Sequence, residues 1–213
     1  MTKCYMCDSD ADGLEHVPPR CLFPKAKDLP CGVDLRRNLM TVPSCSVHNS
    51  EKSRDDVYFQ NILTSCEEIN EVGRQHYRKQ MRRQHKHSRS MLARLRDHST
   101  EVGDKLAIRV EIERLDNFAE HLALALYFAH FGRRWEGQLG WVPEFLPRVL
   151  SDEPQAELKR QEVIESNNRE FVDVPRLGEN PEVFSYQVIE GKDWCRMRLA
   201  FYEGCKIFLL YTS

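Results

Sequence analysis

Cys4-Tyr5-Met6-Cys7 and Cys45-Ser46-Val47-His48 frame the first quarter of this chain, and the reading of these two stretches decides the fold. Two residues between donors let a tight turn bring both side chains to one tetrahedral ion. Two such pairs complete the four-donor shell that structural zinc prefers. The enclosed segment needs such a staple. Pro18-Pro19, Pro24, Pro30 and Pro43 rule out long helices before about residue 44, and its apolar runs are too thin for an independent core. Zinc binding can fold a segment of this kind outright. Cys21 and Cys31 are the rival ligands, without knuckle spacing. If His48 serves elsewhere, one of them completes the zinc shell.

Working outward, 213 residues give room for a small module plus a compact second unit. Hydrophobic content of 41% with 30% charged residues is that of a soluble globular protein. No run approaches the ~18 apolar residues of a membrane span, and the first residues lack the apolar core of a signal peptide. These features read as a cytoplasmic protein with reduced thiols. In that setting a close cysteine pair points to metal rather than to a disulfide. Cys66, Cys195 and Cys205 sit in apolar, periodic contexts and read as buried thiols.

The pattern turns helical from Ser53 to about His98, with Tyr58, Ile62 and Cys66 at spacings of four and Gly73 as the expected break. Arg74 to Asp97 carries nine Lys or Arg against one acid. Lys105 to Glu113 alternates apolar and charged residues as a half-buried strand would. Leu115 to Phe131 is the most apolar helix. Pro143 and Pro147 mark a loop or short turn, and Glu157 to Glu165 a short polar helix. Val183 to Ile189, Trp194 to Tyr202 and Lys206 to Tyr211 read as a strand meander, turning at Gly191-Lys192-Asp193 and Glu203-Gly204. The expected class is therefore α+β, in three units: a zinc-binding module over 1–60, a basic helical segment over 61–103, and a C-terminal α+β domain with antiparallel strands over 104–213.

Between the knuckles lie Leu14-Glu15-His16-Val17-Pro18-Pro19 and Arg37-Asn38-Leu39, and after the second comes Asn49-Ser50-Glu51-Lys52. In this order the motifs resemble the HNH endonuclease family, in its zinc-containing ββα-metal form, over residues 4–56. Asn49 stands where the family's second histidine usually stands, which makes this an HNN-like variant, and His48 replaces the usual fourth cysteine. The resemblance implies a metal-dependent endonuclease hydrolysing phosphodiester bonds. In that reading His16 is the general base, Asn38 orients it, and Glu15 and Asn49 hold a catalytic magnesium or manganese ion. Lys52 contacts a phosphate. Imidazole titrates near neutrality, as a base for water requires, and an asparagine oxygen suits a hard cation. A prokaryotic defence or mobile-element setting is implied by resemblance alone. So is a C-terminal unit that serves dimerisation or a partner protein.

DNA is the expected partner, with RNA as the alternative polymer and no membrane role. Arg20 and Arg37 make the loop between the knuckles basic, along with Lys25, Lys27 and Arg36. Arg74, Arg78, Lys79, Arg82, Arg83 and Lys86 fall on one stretch of helix that could track a phosphate backbone. The competing reading keeps the same parts without catalysis: a zinc-stabilised module that binds nucleic acid or protein.

Overall fold

In the computed structural model the described residues are 2–51, 53–87, 99–102, 105–146 and 154–213. Strand β1 (Gly13–His16) pairs antiparallel with β2 (Thr41–Ser44), placing Glu15 opposite Val42 and His16 opposite Thr41. The loop between them contains only the 3-10 turns Arg20–Leu22 and Ala26–Asp28, as its prolines dictate. Strand β2 runs directly into helix α1 (Ser46–Glu51), followed by α2 (Ser53–Thr64) and α3 (Glu71–His87).

The break between α2 and α3 lies before Glu71 and not at Gly73. Asn70 forms it: its side-chain oxygen accepts from the Gly73 N–H at 3.0 Å, an N-cap, while its amide donates to Glu182 O. Gly73 lies inside α3 for another reason. A Cβ there would come within 2.8 Å of the Tyr202 ring.

Strands β3 (Ser99–Val102) and β4 (Lys105–Ile108) pair antiparallel. The strand expected over Lys105–Glu113 therefore stops early. Ile112 already opens helix α4 (Ile112–Phe131), because Leu115, Phe118, Ala119 and Leu122 are buried at helical spacing. Gly132, with φ 68°, ends α4 and returns its N–H to Phe128 O at 2.8 Å. Helix α5 (Pro154–Glu170) is longer than the polar helix read from the sequence.

The remaining strands are β5 (Gln138–Pro143), β6 (Leu177–Asn180), β7 (Phe184–Glu190), β8 (Trp194–Phe201) and β9 (Cys205–Thr212). They form one antiparallel sheet in the order β5-β9-β8-β7-β6. The expected meander is its centre. Pro143, expected in a loop, instead ends β5, and β5 is an edge strand, where a missing N–H costs no ladder bond. Pro147 lies outside the described residues.

Side chains from all three sequence segments join one apolar core, among them Tyr5, Phe59, Ile69, Leu126 and Tyr211. Tyr202 ties the ends of the chain together, its hydroxyl donating to Leu22 O at 2.5 Å. On the other face of the sheet Ile164, Phe171 and Phe208 form a smaller cluster. No helix among the described residues is long and apolar enough to cross a membrane.

His76 of α3 is 8% exposed and lies within hydrogen-bond reach of the Gln60 amide. Burial, and next the Arg36 charge, lower its pKa from 6.5 to about 4; Asp28 and Arg83 also act on it, in opposite senses. The ring therefore folds neutral. Between those two pH values the unfolded chain binds a proton that the native state refuses, so protonation favours unfolding. Stability is expected to be full above about pH 6.5 and to fall by about 3 kcal/mol from this side chain as pH approaches 4. Urea midpoints measured from pH 7.5 to 4.5 should drop more steeply in the wild type than in His76→Gln. Equal slopes would place the acid sensitivity elsewhere.

Candidate metal centre and basic face

The two knuckles meet. Cys4, Cys7, Cys45 and His48 bring one donor atom each within 4.8 Å of all the others. Cys7 Sγ and Cys45 Sγ are 3.9 Å apart, and His48 Nδ1 lies 3.5 Å from Cys4 Sγ and 3.3 Å from Cys45 Sγ. Four donors held 2.0–2.3 Å from a tetrahedral zinc stand roughly 3.4–3.8 Å from one another. The cluster thus has the size of a zinc shell, with three soft sulfurs and one imidazole. Zinc there would be held by these four residues and would act as a crosslink between the chain start and the β2–α1 corner.

Local structure prepares the site. The Met6 N–H points at Cys4 Sγ (3.5 Å), and the Asn49 N–H donates to Cys45 O, closing the first turn of α1. Hydrogen bonds from Ser9 pull the Cys7 thiol below its ordinary value, toward the thiolate that zinc requires. Asp12 accepts from the Ser46 N–H at 3.1 Å and so caps α1. Two contacts with α4 and its end were not foreseen. The His121 ring meets His48 edge-on at 6.1 Å, and Asp8, beside Cys7, pairs with Arg134 at 2.6 Å. Neither has a spacing signature, because the partners are far apart in sequence.

Of the rival ligands, Cys21 Sγ points to Asp56 O at 3.6 Å and Cys31 is exposed; neither joins the cluster. None of the eight cysteines forms a disulfide. Cys195 and Cys205 are buried, as expected, and burial pushes Cys195 up to about 12. Cys66 is half-buried.

The residues assigned to catalysis are distributed as follows. Glu15 is 3% exposed, and its carboxylate accepts from the buried Tyr5 hydroxyl at 3.3 Å. His16, the next residue on β1, projects from the opposite face and is half-buried. Asn49 is exposed, and its amide nitrogen lies 3.9 Å from where a Cβ on Gly13 would stand. Gly13 and Glu15 share a face of β1, so Asn49 covers the start of the face from which Glu15 projects. Asn38 is exposed and adopts φ 52°, a left-handed conformation that asparagine tolerates well. Among the described residues the knuckle cluster is the one group of three or more His, Cys, Asp or Glu donors placed to hold a metal.

The basic residues divide into engaged and outward-facing ones. Arg83 grips Asp28 with both carboxylate oxygens within 2.6 Å. Burial alone would raise Asp28, but the Arg83 hydrogen bond and charge hold it below its usual value. Arg74 and Arg78 both reach Glu71, at 3.5 and 3.1 Å. Arg36 spends its guanidinium on Phe23 O, and the exposed Arg37 lies 3.7 Å from Asp34. Arg20, Lys79 and Arg82 are exposed. Gln75, Arg78, Lys79 and Arg82, at i, i+3, i+4 and i+7, line an open groove of roughly 360 Å³ together with Asp28 and Pro30. Lys86 falls on the last turn of α3. Lys52, and the basic positions 89, 94 and 96, lie outside the described residues.

Comparison with known protein families, with curated proteins and with solved structures gives no match.

Proposed function

We propose that this protein is a zinc-stabilised binding module that holds nucleic acid through the groove-lining face of α3. The observation that carries the reading is the contrast between two donor sets. Three sulfurs and an imidazole converge at zinc spacing, whereas Glu15, the carboxylate a catalytic ion would need, is buried beneath the Tyr5 hydroxyl. The zinc crosslink then serves to hold the β1–β2 loop, whose Asp28 anchors Arg83 and sets α3 beside it. Arg78, Lys79 and Arg82 supply the phosphate contacts, which fix position without reading bases.

Binding through these three cations is expected to weaken about 40-fold between 50 and 200 mM salt on duplex DNA. Fluorescence anisotropy with labelled duplex DNA and with RNA measures this. Arg78→Gln, Lys79→Gln and Arg82→Gln together should remove most of the salt dependence. Salt-independent binding, or a triple variant that binds like the wild type, would sink the proposal.

A second reading rests on one specific observation. The Asn49 amide lies beside Gly13, on the face of β1 that also carries Glu15, which supports the resemblance to a ββα-metal nuclease. In that reading Glu15 and Asn49 would hold magnesium or manganese, His16 would take the proton from water, Asn38 would orient His16, and the C-terminal unit would serve dimerisation or a partner. Incubating plasmid with the zinc-loaded protein in either ion, beside His16→Ala, decides between the two. Nicking that His16→Ala abolishes establishes the nuclease. No nicking in either ion leaves the binding module.

A further inference from the structure

We infer that the pocket between α4 and the edge strand β5 is a binding site for an organic cation, an ammonium or guanidinium group on an apolar stem. The pocket lies on other elements than α3, so it stands or falls apart from the nucleic-acid reading.

The pocket measures roughly 510 Å³, within the range of about 300–1,000 Å³ typical of small-ligand sites. Its walls are two indoles. Trp141 is on β5, and Trp135 lies within the loop before it. Both are half-buried, and both have their N–H satisfied: Trp135 donates to Gln138 O at 3.1 Å, and Trp141 to Asp116 Oδ1 at 2.9 Å. What the indoles have left to offer is ring surface. Trp135 is braced from behind by Tyr127 and Tyr211, at centroid distances of 5.1 and 5.7 Å. Gly137 lets the loop close on the sheet, since a Cβ there would come within 2.3 Å of Thr212 O.

The rim is acidic. Asp116 and Glu120 lie one turn apart on α4, with Leu124 a turn further, and Glu136 faces them from the loop. All three acids are exposed, and among the described residues no lysine or arginine lines the pocket. The neighbouring Arg134 is turned to Asp8, and Arg133 lies over the Tyr127 ring. A phosphate or carboxylate ligand would meet three like charges here. A cation meets three opposite charges and two indole rings, the combination that selects cations. Leu124 and Leu139 give the apolar floor on which the stem of such a ligand rests.

Two of the chain's three tryptophans line the pocket, so its occupancy can be read from emission once Trp194→Phe has removed the third. The zinc-loaded full chain is titrated with arginine amide, with spermidine and with a tetra-arginine peptide, each against sodium chloride of equal ionic strength. Saturable quenching at one site per chain is expected. Glu120→Gln, an exposed change that spares the fold, should weaken it about tenfold, and Trp141→Leu should weaken it further. Saturation by arginine amide or spermidine as tight as by the peptide identifies a free cation as the ligand. Saturation by the peptide alone identifies a basic protein segment. Emission that follows ionic strength only, or a Glu120→Gln chain that binds like its parent, overturns the assignment.

Discussion

Stripping the metal from Cys4, Cys7, Cys45 and His48 is expected to lower the thermal midpoint of the whole chain by about 10–20 °C. The size follows from where the ligands sit. Cys4 is fully buried and Cys45 is 5% exposed, and both belong to the core that runs through α2 and α4 into the sheet. Without an ion, three thiols and an imidazole crowd one another. A backbone hydrogen bond at His48 favours the Cys45 thiolate, yet burial and the neighbouring Cys4 and Cys7 outweigh it and raise its pKa. A structural zinc contributes about 10–16 kcal/mol in peptides that fold around it, as much as the entire stability of a typical domain. Even a fraction of that is large here. The measurement is a melting curve with and without a strong chelator, alongside metal content by mass spectrometry. Cys45→Ser should copy the chelated protein and retain no zinc. A protein purified without bound metal, whose melting ignores the chelator, would refute the staple.

How far the sequence could be read depended on the range of the interaction. The Cys4, Cys7, Cys45 and His48 cluster was legible because knuckle spacing is local, and the pairing of two knuckles needs only that both exist. The β7–β8–β9 meander was legible for the same reason: alternation and turns are local signals, and the burial pattern of β8 alternates at every residue. Strand β5 was not. Its sequence Gln-Leu-Gly-Trp-Val-Pro carries a glycine and a proline, and it becomes a strand by pairing with β9, from Gln138 with Thr212 to Pro143 with Ile207. Tertiary pairing outweighed propensity there. Glu15 marks the same limit at the site. Nothing in Leu14-Glu15-His16 tells that Tyr5, ten residues earlier, folds over the carboxylate. The pocket formed by α4 and β5 escaped for a related reason, since its two walls and its acids come from separate elements.

Phe59→Ala is expected to cost about 3–5 kcal/mol. Phe59 is completely buried on α2, where it stacks on Phe118 of α4 at 3.7 Å and 16°. It also meets Phe201 of β8 edge-on at 5.7 Å, and Phe145 at 6.4 Å. One ring therefore joins the helix that follows the zinc knuckle to the core helix and the sheet. Truncation removes the transfer energy of the ring and leaves a cavity bounded by three elements that cannot easily collapse together. Phe59→Leu keeps most of the volume and should cost about half as much or less. Urea unfolding gives the magnitude, and two reporters give its meaning. All three tryptophans lie beyond residue 134, so their emission follows the C-terminal half, while release of zinc to a coloured chelator follows the N-terminal half. Because the core is contiguous, the two signals should move together, in the wild type and, at lower urea, in Phe59→Ala. Zinc released well before the emission changes would mean that Phe59 packs two separately cooperative units, and a loss under about 1 kcal/mol would mean that α2 does not seat on α4 at all.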